Sequence, residues 1–129
     1  MPVVLDTSAV LAILFREPGQ DVVRSALRDG TAMSAVNFAE AMTRLVRNGM
    51  AADGAATALT TLPIALHDLN AELAIQTGAM FAQTRPFGLS LGDRACLALA
   101  RHQALPALTG DRAWLQVAPL IGVEVRLIR

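Results

Sequence analysis

Four acids stand in contexts that ask for an explanation: Asp6 after "PVVL", Glu40 within "NFAEAM", Asp93 after "SLG" and Asp111 in "LTGD". Aspartate is depleted in strands and is almost never buried without a partner. Asp6 nevertheless lies between two apolar runs that both read as core. Carboxylates brought together repel one another, and none stays charged away from water without a cation. Oxygen-only ligands favour Mg²⁺ or Mn²⁺, and with only two histidines and one cysteine in the chain zinc is disfavoured. Mg²⁺ held by a few carboxylates typically meets phosphate, where it polarises the phosphoryl oxygen and activates water. Hydrolysis of a phosphodiester is the simplest reaction for such a group.

The elements that must position these acids alternate. Val3–Leu5 is a short β-branched run, and Ser8–Phe15 follows as a helix. Gln20–Asp29 places Val22, Val23, Ala26 and Leu27 at helical spacing, and Gly30 ends it. Ala32–Ala35 reads as a buried strand. Asn37–Asn48 is a helix with Phe38, Met42, Leu45 and Val46 on one face. Ala51–Leu62 is helical and alanine-rich, Ile64–His67 a strand, and Asn70–Thr84 an amphipathic helix. "RPFGLSLGD" reads as a loop, Asp93–Gln103 as a helix, and Ala107–Thr109 and Val123–Ile128 as the last strands. Short apolar strands separated by helices imply an α/β fold with a central parallel sheet and right-handed crossovers. No linker or repeat divides residues 1–129, so one domain is expected.

Ligands of open parallel sheets bind outside the carboxyl ends of the strands. Asp6 directly follows the first strand, and Asp111 lies two residues past "PALT". Glu40 sits in the helix after the second strand, and Asp93 begins the helix that leads into the last βα region. Four of the 11 acids therefore map to one edge. Each also has an ordinary explanation. Asp6, Thr7 or Ser8 can cap the following helix, and Asp93 can cap its own. Glu40 and Arg44 are i, i+4 partners, and "TGD" reads as a turn with an Asx cap. Those explanations are mutually independent, so together they leave the shared edge to coincidence.

Composition narrows the chemistry further. All 11 basic residues are arginine, which excludes a phosphate loop needing GK[ST], a Schiff-base enzyme and a lysine nucleophile. Net charge is formally zero, so no global field draws nucleic acid. Arg16, Glu17 and Pro18 stop the first apolar run well short of the roughly 18 residues a membrane span requires. No basic region precedes that run, so no signal peptide is read, and the single Cys96 fits a reducing compartment; the cytoplasm is expected. Cys96 reads as a small buried hydrophobe, Trp114 as a core anchor, and His67 and His102 as structural or exposed.

Four blocks, "VVLDTSAVLAIL", "SAVNFAEAM", "LSLGDRACLALA" and "ALTGDRAWL", together resemble the PIN-domain ribonucleases, specifically the VapC-type toxins of toxin–antitoxin pairs. The resemblance spans nearly the whole chain, although Gly49–Phe87 matches only by pattern. It implies a three-layer α/β/α PIN-like fold whose acids bind Mg²⁺ or Mn²⁺ and cleave RNA. The family's acids match Asp6, Glu40, Asp93 and Asp111. Thr7 and Ser8 match hydroxyl positions after the first acid, and Asn37 and Thr109 match polar positions near the site. In this reading Asp6 and Asp93 ligate the metal, while Glu40 and Asp111 hold metal-bound water or a second ion. Arg94 and Arg112, each beside a site acid, are candidates for contacting RNA phosphates. The resemblance also implies a cognate antitoxin, whose arginine an acidic pocket can accept, and a homodimer. Receiver domains and haloacid-dehalogenase-like phosphatases fit less well. Leu5 and Ser8 stand where those motifs carry a second acid, and the required lysine is missing. A non-catalytic RNA- or partner-binding PIN-like domain is the alternative.

Overall fold

The structure is a computed structural model that describes residues 2–129. Its frame is a five-stranded, all-parallel sheet: β1 (Val3–Leu5), β2 (Thr31–Ser34), β3 (Ile64–His67), β4 (Ala107–Thr109) and β5 (Val125–Leu127), in the order β3-β2-β1-β4-β5. Between the strands lie α1 (Thr7–Leu14), α2 (Gln20–Asp29), α3 (Ala35–Arg47), α4 (Ala52–Thr60), α5 (Ala71–Ala79), α6 (Phe81–Thr84), α7 (Leu91–Gln103) and α8 (Trp114–Ile121). Among the described residues no helix is long and apolar enough to cross a membrane.

Alternation along the strands feeds two cores. Val3, Leu5, Met33 and Leu108 join the buried side chains of α1–α4, including Val10, Val23, Leu45 and Leu59. Val4, Ala32 and Ala107 join those of α5, α7 and α8, including Leu73, Leu97, Trp114 and Val117. Right-handed crossovers explain this division. The chain steps from β1 outward to β2 and β3 over one face, then returns to β4 and β5 over the other. The result is the expected three-layer α/β/α arrangement. Helix α7 packs across β1, β2 and β4. Small residues Ala32 and Ala107 on the sheet and Ala95, Cys96 and Ala98 on the helix permit that approach, and every residue from Ala95 to Ala100 is buried. Truncating Leu97 or Leu99 there would cost about 2–5 kcal/mol, as large-to-small core changes do.

Most of the expected elements are present, with shifted ends. β2 starts at Thr31 and stops at Ser34, because Ser34 caps α3 by accepting the Val36 N–H. α3 therefore begins before Asn37. The expected helix over 70–84 is two, with Asn70 as N-cap and an interruption at Met80. "RPFGLSLGD" is not all loop, since Arg85–Phe87 is a 3-10 turn and α7 begins at Leu91. Helix α8 was not expected. Its sequence WLQVAPLI is apolar at nearly every position and contains Pro119, which hides the helical period.

Candidate active site

Strand order reverses between β1 and β4: the crossovers that leave them run over opposite faces, which opens a crevice at their carboxyl ends. Asp6 stands at that point. Its backbone is extended, with φ −72° and ψ 159°, and it is the N-cap of α1. Its Oδ1 accepts the Thr7 N–H at 2.8 Å. Its Oδ2 accepts the hydroxyls of Ser8 and Thr109, each at 2.8 Å. Only 5% of Asp6 is exposed. Burial pushes its carboxyl up to about 6; the hydroxyls of Thr109 and Ser8 hold it down in part, and the charge of Asp93 adds to the rise. The same two hydroxyls also accept backbone donors. Ser8 Oγ takes the Gly110 N–H at 2.9 Å and Thr109 Oγ1 takes the Asp111 N–H at 3.1 Å. They bind the loop after β4 to the end of β1.

Glu40 reaches the crevice from α3. Its Oε1 accepts the Thr7 hydroxyl at 2.7 Å and the Asn37 Nδ2–H at 2.9 Å. Asn37 is fully buried, and the same amide nitrogen donates to the Gly92 carbonyl at 3.0 Å. The Glu40 carboxylate lies directly against the first turn of α7, where a Cβ on Gly92 would overlap it. A larger residue at this position fits only if the Glu40 carboxylate moves away. The fourfold spacing from Glu40 to Arg44 produces no ion pair, because Glu40 is turned toward Thr7, Asn37 and α7.

Asp93 does not begin its helix. It occupies the third position of α7 in a reciprocal cap, with its N–H on Ser90 Oγ and its Oδ2 accepting the Ser90 N–H at 2.8 Å. The capping explanation and the cluster explanation are therefore both true of this residue. Burial raises its carboxyl, the two Ser90 bonds lower it, and the charges of Asp111 and Glu40 raise it. Asp111 lies in the exposed turn after β4, its Oδ1 accepting the Ala113 N–H at 3.0 Å. The Asx cap is present here too.

All four acids line one open cleft of about 320 Å³, together with Thr7, Ser8, Leu11 and Arg44. None is paired with a cationic side chain among the described residues. Glu40 Oε2, Asp93 Oδ1 and Asp111 Oδ2 accept no hydrogen bond from the described residues. Uncompensated carboxylates with free oxygens are the donor set of a hard divalent cation, so residues and group fit chemically. As the side chains stand, no three of them converge as a preformed cage among the described residues, since each is held by its own capping or hydroxyl bonds. Cys96 lies buried beneath the cluster. Burial pushes its thiol up well above the ordinary range, and the charges of Asp6, Asp93 and Glu40 add to the effect.

Two sequence candidates lie elsewhere. Arg94 turns from the cleft to donate to the Thr77 carbonyl at 3.0 Å, with its guanidinium 5.3 Å from the Phe81 ring centroid. That engagement with α5 and α6 is the physical reason against an RNA contact for it. Arg112 is exposed in the turn after Asp111 but does not line the cleft. Conversely Ser90, Gly92 and Arg44 were missed as site residues. Ser90 had a signal in the S-x-x-D spacing of "SLGD".

A family model described as PIN domain matches residues 3–120. No curated protein sequence matches the chain. Among solved structures, the fold is similar to VapBC2 from Rickettsia felis bound to a promoter DNA fragment (TM-score 0.75, 13% identity, 98% of each chain covered). It is similar also to DNA-bound VapBC from Salmonella typhimurium (TM-score 0.74, 15% identity, 100% of this chain and 99% of that one). A third similar structure is Mycobacterium tuberculosis VapC20, described as a sarcin–ricin loop cleaving toxin (TM-score 0.67, 16% identity, 81% and 86% covered). At these identities the likeness is one of fold. The matched span takes in every strand but the last and all four cleft acids, as the sequence blocks led one to expect, and the chain belongs to the PIN domain family.

Proposed function

We propose that the chain is a metal-dependent endoribonuclease and the toxin of a toxin–antitoxin pair, working in the cytoplasm. The observation that carries the catalytic part is the cleft of four carboxylates, none of them ion-paired among the described residues, at the switch point of a parallel sheet. The toxin part is supported by the similar structures, two described as VapBC2 or VapBC and one as a sarcin–ricin loop cleaving toxin. Asp6 and Asp93 would hold Mg²⁺ or Mn²⁺, and Glu40 and Asp111 would complete the site through water or a second ion. The bound cation would polarise the scissile phosphoryl group and acidify the attacking water. The protein's own part is positioning. Thr7 and Asn37 fix Glu40 Oε1 and leave Oε2 free to orient the nucleophile or take its proton. Ser8 and Thr109 hold Asp6 and steady the turn bearing Asp111.

Cleavage of structured RNA with Mg²⁺, and with chelator as control, tests the enzyme. Alanine at any one of Asp6, Glu40, Asp93 or Asp111 should cut turnover at least tenfold, which is about 1.4 kcal/mol of barrier. Full activity in two of the four variants would refute the site. Expression in the host tests the toxin: growth should stop, and co-expression of the neighbouring gene, encoding the antitoxin, should restore it. Harmless expression without that partner refutes this part. Size-exclusion chromatography of the pair tests the homodimer as the unit bound.

A further inference from the structure

Among the described residues Arg44 is the one basic side chain lining the acidic cleft. It lies one helical turn after Glu40 and so on the same face of α3. A guanidinium in such company should pair with a carboxylate. It does not: no acid lies within ion-pair distance of Arg44, and its N–H donors have no hydrogen-bond partner among the described residues. Arg44 is exposed, and its one aromatic neighbour among the described residues is Phe15, the C-cap of α1, with the guanidinium carbon 5.9 Å from the ring centroid, at the outer edge of cation–π reach. The side chain keeps its fork of donors free of protein partners among the described residues, at the rim of the site.

A strand of RNA entering this cleft brings several phosphates past the carboxylates. The scissile group is the one the carboxylates address through a cation. Its neighbour would meet only repulsion unless a fixed positive charge faces it. The planar guanidinium matches a phosphate with two parallel hydrogen bonds. We propose that Arg44 is the substrate-binding residue that takes the phosphate next to the scissile one, an inference that rests on the ribonuclease reading above. It replaces Arg94, which Thr77 and Phe81 hold away from the cleft.

The test is steady-state cleavage of a structured RNA by wild type, Arg44→Gln, Arg44→Lys and, as a control on α2, Arg24→Gln. Arg44→Gln should raise KM about tenfold, the loss of one charge-assisted contact, and leave kcat within about twofold. Arg44→Lys keeps the charge without the fork and should recover part of the KM. Arg24→Gln should match wild type. Binding of the same RNA, fluorescein-labelled, is then measured against salt in an Asp93→Asn background. The slope of log K on log salt should fall by about 0.7–0.9 for Arg44→Gln, the share of one phosphate. Wild-type cleavage with KM and salt slope unchanged by Arg44→Gln overturns this inference alone. So does weaker inhibition by the antitoxin with RNA parameters intact, which would give Arg44 to the protein partner. No cleavage by wild type in Mg²⁺ overturns the ribonuclease reading and this inference with it.

Discussion

Gly92→Ala separates stability from catalysis at one methyl group. Gly92 is the second residue of α7, where alanine is better than glycine by about 0.5–1 kcal/mol, the helix-interior figure being the ceiling. Here the added Cβ would overlap the carboxylate of Glu40. The carboxylate is the end of a flexible side chain, so it swings away and the backbone stays. The swing breaks the bonds from Thr7 at 2.7 Å and from Asn37 at 2.9 Å. Glu40 is half-buried, so water replaces them in part and the cost is about 1–2 kcal/mol. Gain and loss nearly cancel, and unfolding free energy should lie within about 1 kcal/mol of wild type. Turnover has no such compensation, because the carboxylate has left its place. It should fall at least tenfold, as in Glu40→Ala. In a Glu40→Ala background the new methyl group has room. There Gly92→Ala should stabilise by about 0.5–1 kcal/mol and leave residual activity unchanged, a coupling of about 1–2 kcal/mol between the two positions. Urea unfolding in chelator and RNA cleavage in Mg²⁺ measure both quantities. Equal stability changes in the two backgrounds, or full turnover by Gly92→Ala alone, would refute the reasoning.

The carboxyl of Asp6 rises from 3.8 to about 6 on folding. The folded state then binds more protons than the unfolded one between those values. In chelator, stability is full below the unfolded value and falls as pH rises through the window, by on the order of 3 kcal/mol. Asp6→Asn should flatten this fall in urea midpoints, and an equal decline in both proteins counts against it. Asp93→Asn should abolish cleavage yet melt higher in chelator, since it removes a charge and keeps the bond from Ser90 N. Asp93→Ala should lose about 1 kcal/mol of cap. Millimolar Mg²⁺ should raise the melting temperature of wild type more than that of either variant; an unchanged metal response would leave Asp93 a cap alone. Thr109→Val removes the donor to Asp6 Oδ2 and the acceptor of Asp111 N–H. It should cost about 1–3 kcal/mol and carry the Asp6 transition to higher pH, while Thr109→Ser restores both.

Sequence alone determined the class of the fold and the edge on which the acids meet. Short apolar runs separated by helical periods imply a parallel sheet, and a parallel sheet brings every strand's carboxyl end to one side. Asp6 after Leu5 and Asp111 after Thr109 could therefore be placed together although they lie on separate strands. The capping explanations for Asp6, Asp93 and Asp111 could be read as well, because Asx and Ser caps are local. They could not be weighed against the cluster, and in the folded chain both hold at once. The remaining features belong to tertiary structure. Helix α8 is apolar on nearly every side, so no period marks it; only its burial around Trp114 makes it a helix of the core. Asn37 donates to Gly92 across 55 residues and Thr109 to Asp6 across 103, separations at which no spacing rule operates. The exchange of Arg94 for Arg44 has the same origin. Both arginines stand next to or one turn from a site acid in the sequence. Packing alone decided which one faces the cleft: α5 and α6 supplied Thr77 and Phe81 to one, and the end of α1 supplied Phe15 to the other.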